Sequence, residues 1–356
     1  MVRRKFDNDD LEAALIGGLF LSAGGSGQGT ADRHRVQGRM ALDLGGVDFV
    51  SLDELPPEST VITATAVGAP GFAKPLVAPR DCLDSARRLI ALLDAPPVGV
   101  ICGHVPGFNA WLVAAALGLP YVDAASNGRG HPTVKMGGMG LASRPDVSIF
   151  QVGCGGYQSD GSRLNVAVEG NIVRTSTVMR HASVVNGGLI YAARGPLTAA
   201  FVKQNGAPGA ITFQLELGRA MLDANGPDRV AAAVKFLRGE LLMVGEVVEN
   251  SVAYAGGFDV GRMRVRGDRG EVMLGIYNEY MTADHDGRRV ATFPDMIGTL
   301  DPQTGAPVAI SELKPGSRVA IITAHRSKFP VGKGALDPAV FPEVEEAMGL
   351  DLRSYL

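Results

Sequence analysis

Six residues in two short polar segments carry side chains suited to acid–base chemistry or metal binding. They are His104 and Asn109 in the first segment, and Asp123, Asn127, Arg129 and His131 in the second. Imidazole and carboxylate groups that converge on one crevice can bind a divalent metal, or they can act as general acid and base near neutral pH. The alternative is that both histidines are ordinary loop residues and that the aspartate caps a turn.

The elements around these segments predict that the two segments meet. Residues 98–102 and 119–123 are short apolar runs typical of buried parallel strands, and residues 110–117 between them are typical of a helix. Such a βαβ unit places the ends of both strands at the same edge of a sheet, where ligands of open α/β sheets bind. We therefore expect residues 104–109 and 123–132 to line one hollow.

Each polar residue of this hollow has a predicted role. His104, Asp123 and Asn109 are the predicted catalytic residues, and His104, Asp123 and His131 are the predicted ligands of one divalent metal, zinc or a similar ion. Asn127 and Arg129 are predicted substrate contacts, with Arg129 anchoring an acidic group.

A glycine-rich segment, residues 24–29, lies between two predicted helices. Its backbone N–H groups could cradle an anion at the start of the second helix, which makes Gly24, Gly25 and Gly27 predicted substrate contacts. No strand precedes the segment and no Gly-Lys-Ser/Thr follows it, so we expect no nucleotide cofactor. The alternative is a helix–helix turn whose glycines serve packing.

A further polar cluster interrupts apolar strands predicted near the C-terminus. Asn278, Glu279 and Asp295 form either a second wall of the hollow or strand-end hydrogen bonds, and periodicity does not decide between the two. We include them among the predicted substrate contacts. Cys154 lies among glycines without the local signature of a nucleophile, which favours a small residue in a turn.

The composition excludes several classes of protein. The chain has 356 residues, 46% hydrophobic and 20% charged, with a formal net charge of −3, which excludes a disordered chain. It has no basic stripe for nucleic acid or an anionic membrane. Acidic residues interrupt the N-terminal apolar run, and prolines break the uncharged segment 95–122, so neither a secretion signal nor a membrane span is expected. The three cysteines follow no disulfide spacing, which favours the cytoplasm.

The pattern of apolar residues predicts two domains. Residues 1–165 form an α/β domain with a mainly parallel sheet, and residues 166–356 an α+β domain, β-rich from about residue 241, that ends in a sandwich or barrel. Asp9 and Glu12 are predicted to cap the first helix. Further predicted helices are residues 31–44, 81–93, 177–192, 211–222 and 227–238. Further predicted strands are 47–51, 60–67 (ending in a turn at 68–71), 243–248, 261–265, 272–280, 288–293 and 318–323.

Short segments between about residue 10 and residue 325 carry a family resemblance. In the first half they are Leu15-Ile-Gly-Gly18, Ala23-Gly-Gly25, Gly68-Ala-Pro70, Pro106-Gly-Phe-Asn109, Leu117-Gly-Leu-Pro-Tyr-Val-Asp123, Gly128-Arg129 with Pro132, and Gly187-Gly188. In the second half they are Asn278-Glu-Tyr280, Val290-Ala-Thr-Phe-Pro-Asp-Met-Ile297, Leu300-Asp-Pro-Gln-Thr-Gly-Ala-Pro307 and Gly316-Ser-Arg-Val319. Together they resemble the S-methyl thiohydantoin desulfurase family, often found beside hydantoinase-type enzymes.

The resemblance implies two domains and chemistry on five-membered cyclic ureides such as hydantoins and thiohydantoins. Water or hydroxide attacks either the ring carbon between two nitrogens, with loss of thiol or sulfide, or a ring carbonyl, with opening of the amide. Either route requires an activated water and donors for the developing negative charge.

The chain departs from the family pattern at the predicted site. His104 stands where the family has Glu, Ala125 and Thr133 stand where it has Asp and Glu, and His131 replaces an apolar residue. We expect a divergent, hydrolase-like enzyme for a small cyclic amide or ureide. The alternative is a non-catalytic ligand-binding paralogue, or a subunit that completes a hetero-oligomer with an intact family member. A homo-oligomer or such a hetero-oligomer is expected, without nucleic-acid or membrane partners.

Overall fold

The computed structural model of the chain describes residues 4–69 and 75–356. The turn predicted at 68–71 lies in part outside these residues. The elements of the N-terminal region are β1 (Arg4–Lys5), α1 (Asn8–Leu21), α2 (Gln28–Asp43), β2 (Asp48–Val50), β3 (Thr60–Gly68), α3 (Arg80–Ile90), β4 (Gly99–His104), α4 (Phe108–Leu117), β5 (Tyr121–Asn127), β6 (Ile149–Gly155), β7 (Leu164–Gly170), α5 (Ile172–Val185), β8 (Leu189–Thr198), α6 (Ala199–Asn205), β9 (Ala207–Pro208), α7 (Ala210–Leu222) and α8 (Asp228–Leu237).

The strands of this region form one mixed sheet with the order β1–β2–β5–β4–β3–β8–β6–β7, and β9 pairs with β5. The predicted βαβ unit is confirmed, because β4 and β5 are parallel neighbours joined by α4. The prediction of a mainly parallel sheet is wrong. Among the described strands, β2–β5, β5–β4 and β4–β3 pair in parallel, whereas β3–β8, β8–β6 and β6–β7 pair antiparallel.

Two wrong local predictions explain this difference. Residues 189–192, predicted as the end of a helix, begin β8, which lies between β3 and β6 and is buried over most of its length. A strand covered on both faces loses the alternation that identifies strands in a sequence. Cys154 lies in β6 rather than in a turn. Gly153 beside it lets α5 pack closely, since a Cβ there would lie 2.5 Å from Cε of Met179.

The first helix is capped by residues other than the predicted pair. The side chain of Asp7 accepts a hydrogen bond from the Asp10 N–H at 2.9 Å, and the side chain of Asp10 accepts one from the Asp7 N–H at 3.2 Å. Helix α1 then crosses α7 in direct backbone contact. A Cβ on Gly17 would lie 2.2 Å from the Gln214 carbonyl oxygen, so the abundant glycine serves close helix packing here.

The C-terminal region forms a single antiparallel sheet in the shape of a half-barrel. Its elements are β10 (Glu240–Asn250), β11 (Ala253–Ala255), β12 (Phe258–Gly267), β13 (Gly270–Tyr277), β14 (Glu279–His285), β15 (Arg288–Thr292), β16 (Met296–Leu300), β17 (Arg318–Ala324) and α9 (Pro342–Met348). The order is β15–β14–β13–β12–β10–β17–β16, with β11 on β12. The predicted sandwich is therefore wrong and the predicted barrel is only half formed. The strand predicted over 272–280 is two strands that meet at Asn278.

Apolar side chains of both regions share one core. Phe20 and Leu21 at the end of α1 are buried together with Met296 and Leu300 of β16. No helix within residues 4–69 and 75–356 has the length and hydropathy needed to cross a bilayer.

Candidate functional site

A cavity of about 220 Å³ lies where the two regions meet. Its walls come from the end of α1, helix α2, the ends of β3 and β4, the loop after β5, α5, β8 and the β13–β14 junction. Ligand pockets for drug-sized molecules typically enclose about 300–1,000 Å³, so this cavity fits a smaller molecule. The predicted location beyond the carboxyl end of β4 is therefore a real concavity.

Two histidines form one wall of the cavity. His104 is the last residue of β4, and His131 lies in the loop after β5. Their ring centroids are 5.2 Å apart with the planes at 88°, and Nδ1 of His131 is buried without a hydrogen-bond partner. Burial, together with the charge of Arg194, lowers the pKa of His104 to about 4. Burial, the neighbouring His104 and Arg194 hold the pKa of His131 well below its ordinary value. Both imidazoles are therefore neutral at pH 7.

Two arginines bring positive charge to the same cavity. Arg194 of β8 is 3% exposed, and among the described residues it donates only long hydrogen bonds, to the Val134 carbonyl oxygen at 3.3 Å and to Ser126 Oγ at 3.5 Å. Burial lowers its pKa to about 10, and no acid in the part of the chain that the structure describes offsets that effect. Arg180 of α5 donates to the Gly257 and Pro132 carbonyl oxygens. A buried guanidinium without a paired carboxylate favours the binding or formation of negative charge beside it.

An amide and a carboxyl group in the cavity have unused hydrogen-bonding atoms. Nδ2 of Asn109 and Oε2 of Glu279 are buried and have no partner within the described structure. Buried polar atoms are almost always paired in folded proteins, so orphan atoms that line a cavity are available to a ligand. Gly25 also lines the cavity. The atom nearest to a Cβ placed on Gly25 is Oε1 of Glu279, at 3.0 Å.

Asn278 joins the half-barrel to the cavity wall. Its φ of +61° is tolerated because an asparagine adopts the left-handed region more readily than most residues. Its Oδ1 accepts a hydrogen bond from the Asp259 N–H at 2.8 Å, and its Nδ2 lies 3.3 Å from the Pro132 carbonyl oxygen. Asn278 therefore positions Glu279 at the cavity.

Asp123 does not face the cavity, contrary to the predicted convergence with His104. Its Oδ1 accepts hydrogen bonds from the N–H groups of Ile211 and Thr212 at 3.1 and 3.0 Å, and its Oδ2 accepts one from the Thr212 hydroxyl at 2.6 Å. The carboxylate therefore caps the N-terminus of α7, where an anion is favourable. The alternative given above had this aspartate capping a turn, whereas it caps a helix.

Three more predicted substrate contacts belong to the frame around the site. Asn127 donates to the Arg129 carbonyl oxygen and accepts from the Gly332 N–H. Arg129, fully buried, donates to the carbonyl oxygens of Tyr280 and Asp295, so it does not anchor a ligand. Asp295 accepts from the N–H groups of Thr292 and Arg326.

The glycine-rich segment holds an anion that the chain itself supplies. The carboxylate of Glu312 accepts hydrogen bonds from the Gly29 N–H and, at 2.6 Å, from the Ala309 N–H. A Cβ on Gly27 would lie 2.2 Å from Oε2 of that carboxylate, and the carbonyl oxygen of Gly24 accepts from the Ile310 N–H. Gly24 and Gly27 therefore pack against the half-barrel, and only Gly25 of the three predicted contacts lines the cavity.

The predicted metal ligands do not assemble. His104 and His131 are adjacent, but the carboxylate of Asp123 is committed to α7. No cluster of three His, Cys, Asp or Glu side chains within residues 4–69 and 75–356 could hold a metal ion. Two imidazoles fall short of the three protein ligands that catalytic zinc sites use.

Sequence reasoning missed several polar residues of the cavity, and four of them bear on its chemistry. They are His34, Gln37, Arg180 and Arg194. Burial lowers the pKa of His34 to about 3, and Gln37 donates a hydrogen bond of 2.7 Å to the Tyr191 hydroxyl. Of these four, Arg194 could have been found from the sequence, because it interrupts an apolar run, and a charged residue in such a run is seldom buried without a partner or a function.

Comparisons with known proteins agree with this architecture. The crystal structure of a protein from Chromobacterium violaceum is similar, with a TM-score of 0.70 and 20% identity over 97% of this chain and 96% of that one, which supports the fold. No curated protein sequence matches. Residues 9–156 match the model of the S-Me-THD-like N-terminal domain, and residues 170–337 match that of the S-Me-THD-like C-terminal domain. The chain belongs to the S-Me-THD-like family.

Proposed function

We propose that this protein hydrolyses a small five-membered ring of the thiohydantoin type inside the cavity. The family description indicates a thiohydantoin-related role. The observation that carries the proposal is the pair of neutral imidazoles, His104 and His131, beside the unmatched charge of Arg194. A proton acceptor next to a fixed positive charge is what the addition of water to a polarised ring carbon requires.

In the proposed reaction, one imidazole accepts a proton while the water oxygen attacks the ring carbon between the two nitrogens. Negative charge develops on the ring and is stabilised by Arg194, and the free amide N–H of Asn109 donates to the ring. The C–S bond then breaks, the sulfur substituent leaves as a thiol, and the ring keeps the new oxygen. The same negative charge raises the basicity of an imidazole that is a weak base in the empty cavity.

The direct test is release of thiol from an S-methyl thiohydantoin, followed with a chromogenic thiol reagent and by mass spectrometry of the ring product. We expect turnover by the wild-type chain and a fall of at least about 100-fold for Arg194→Met. Arg194→Lys keeps the charge and should retain more activity than Arg194→Met. The matched control is Arg174→Met, which changes an exposed arginine of α5 and should leave turnover unchanged.

Binding without turnover would contradict catalysis and favour the non-catalytic paralogue. Turnover that appears only when an intact family member is added would favour the hetero-oligomer. Calorimetric titration with the same compound establishes binding, which both outcomes predict, and the thiol assay on the mixture separates them, because only the second predicts thiol release there.

A further inference from the structure

Glu279 is the carboxylic acid of the cavity, and its surroundings are unusual for a glutamate. The residue is 7% exposed, and Oε2 has no hydrogen-bond partner within the described structure. A buried carboxylate normally pairs with a cation or accepts several hydrogen bonds. The orphan oxygen therefore indicates a carboxyl group kept for a ligand.

The backbone around Glu279 leaves room for this side chain. Gly25 faces Oε1, and a Cβ on Gly130 would lie 3.0 Å from Cγ of Glu279. A Cβ on Gly130 would also lie 2.2 Å from the Ser22 carbonyl oxygen. Two glycines thus hold the carboxyl group between the end of α1 and the loop after β5, and Glu279 lines the cavity there.

Charged groups on three neighbouring elements act on Glu279. Burial raises its pKa, Arg129 and Arg180 lower it in part, and Asp259 raises it again. Burial has the largest effect, so the pKa of Glu279 is raised above its ordinary value. A carboxyl group in such a setting is a proton donor near neutral pH, as in other buried catalytic acids.

We propose that Glu279 is the proton donor to the departing sulfur, an inference that rests on the proposed function. When the C–S bond breaks, its electron pair stays on sulfur, and the Glu279 carboxyl proton moves to that sulfur to form the neutral thiol. Glu279 becomes a carboxylate, while the imidazole that deprotonated the attacking water holds one proton more. Transfer of that proton back to Glu279 through solvent restores both groups, so one water is consumed and one thiol is released per turnover.

The other groups of the cavity are less suited to this role. The imidazole of His104, with a pKa of about 4, holds no proton at pH 7 before the reaction. The phenol of Tyr191, whose pKa burial raises to about 12, is a weak acid. Glu279 is the carboxyl group that lines the cavity within the described residues.

The test compares Glu279→Gln with the wild-type chain on two rings that differ only in the leaving group, S-methyl and S-(4-nitrophenyl). Methanethiolate needs a proton to leave, whereas nitrothiophenolate leaves without one. We expect kcat to fall at least about 100-fold on the S-methyl ring and less than about tenfold on the S-nitrophenyl ring. The alkaline limb of the wild-type pH profile should be absent from the variant. The matched control is Glu169→Gln, an exposed glutamate of β7, which should leave both rates unchanged.

Equal losses on both rings would overturn the proposal, because they would make Glu279 a positioning residue. A second measurement does not depend on turnover: infrared difference spectra of the full chain at neutral pH should show a protonated carboxyl C=O band that Glu279→Gln lacks. If the wild-type chain releases no thiol from either ring, the proposed function fails by itself. The band then decides separately whether Glu279 holds a proton at neutral pH, which a proton donor requires, and its absence overturns that role.

Discussion

The imidazole rings of His104 and His131 meet edge to face, 5.2 Å apart, although 27 positions separate them in the chain. Burial lowers the pKa of both rings, the charge of Arg194 lowers both further, and His104 also lowers the pKa of His131. The pair is therefore a proton acceptor in the resting protein. It carries a proton only when a ligand or a transition state supplies compensating negative charge.

Removing either imidazole tests this role. We expect His104→Asn or His131→Asn, whichever removes the imidazole that accepts the proton, to lower turnover about 100- to 10,000-fold, the range for loss of a general base, with little change in the unfolding midpoint. His181→Asn, at an exposed position of α5, is the control and should retain full activity. Turnover is measured by thiol release and folding by circular dichroism. A loss of less than about threefold in both variants would exclude the pair from the reaction.

The lowered histidine pKa values predict an acid-sensitive fold. His34 and His104, with pKa values of about 3 and 4, stay neutral in the folded chain, whereas the unfolded chain binds protons at both below about pH 6.5. The free energy of unfolding should therefore fall as the pH drops from about 6.5 to 4, by at most about 1.4 kcal/mol per pH unit for each residue.

Glu279 has the opposite effect on the pH dependence of the free energy of unfolding, since its raised pKa weakens the fold as the pH rises above about 4.5. The contribution of one histidine is therefore obtained by comparing a variant with the wild-type chain. The free energy of unfolding, measured in urea between pH 7 and 5, should change less steeply with pH for His34→Gln than for wild type. The exposed-site control His181→Gln should leave this pH dependence unchanged. An equal slope for His34→Gln and wild type would contradict the neutral state of His34.

Asp123 should matter for stability and not for chemistry. Asp123→Ala removes the acceptors for Ile211 and Thr212, and we expect a loss of about 1–2 kcal/mol in the free energy of unfolding, as for other helix caps. Asp123→Asn keeps one acceptor oxygen and should lose less. Turnover per folded molecule should stay within about twofold of wild type. A hundredfold loss of turnover in a fully folded Asp123→Asn would restore Asp123 to the site.

Glu312 should stabilise the start of α2 in the same way. Glu312→Gln removes the charge that accepts from the Gly29 and Ala309 N–H groups, and we expect a loss of about 1 kcal/mol in urea unfolding. Glu58→Gln, at an exposed site, should cost nothing measurable. Added phosphate should not stabilise the wild-type chain, because the Glu312 carboxylate already occupies the anion-binding position at the start of α2. Phosphate that stabilises wild type and Glu312→Gln equally would contradict this assignment.

Part of the site could be predicted from local patterns. The apolar run before His104 and the helix after it predicted a βαβ unit, and the cavity lies at the end of β4 as that unit requires. The resemblance carried by Asn278 and Glu279 also led to the cavity. The division at residue 165 and the cytoplasmic location stay predictions.

The sequence by itself determined the βαβ unit beside the site and the residues whose side chains could do chemistry, because helix and strand periods and strand-end positions are local properties. Only the tertiary structure decided which way each side chain points. Asp123 turns to α7 and Glu312 reaches the glycine-rich segment because each carboxylate finds N–H donors that arrive from distant positions in the chain. Arg194 lines the cavity because β8 pairs antiparallel with β3. This pairing joins distant parts of the chain, so no local periodicity in the sequence predicts it.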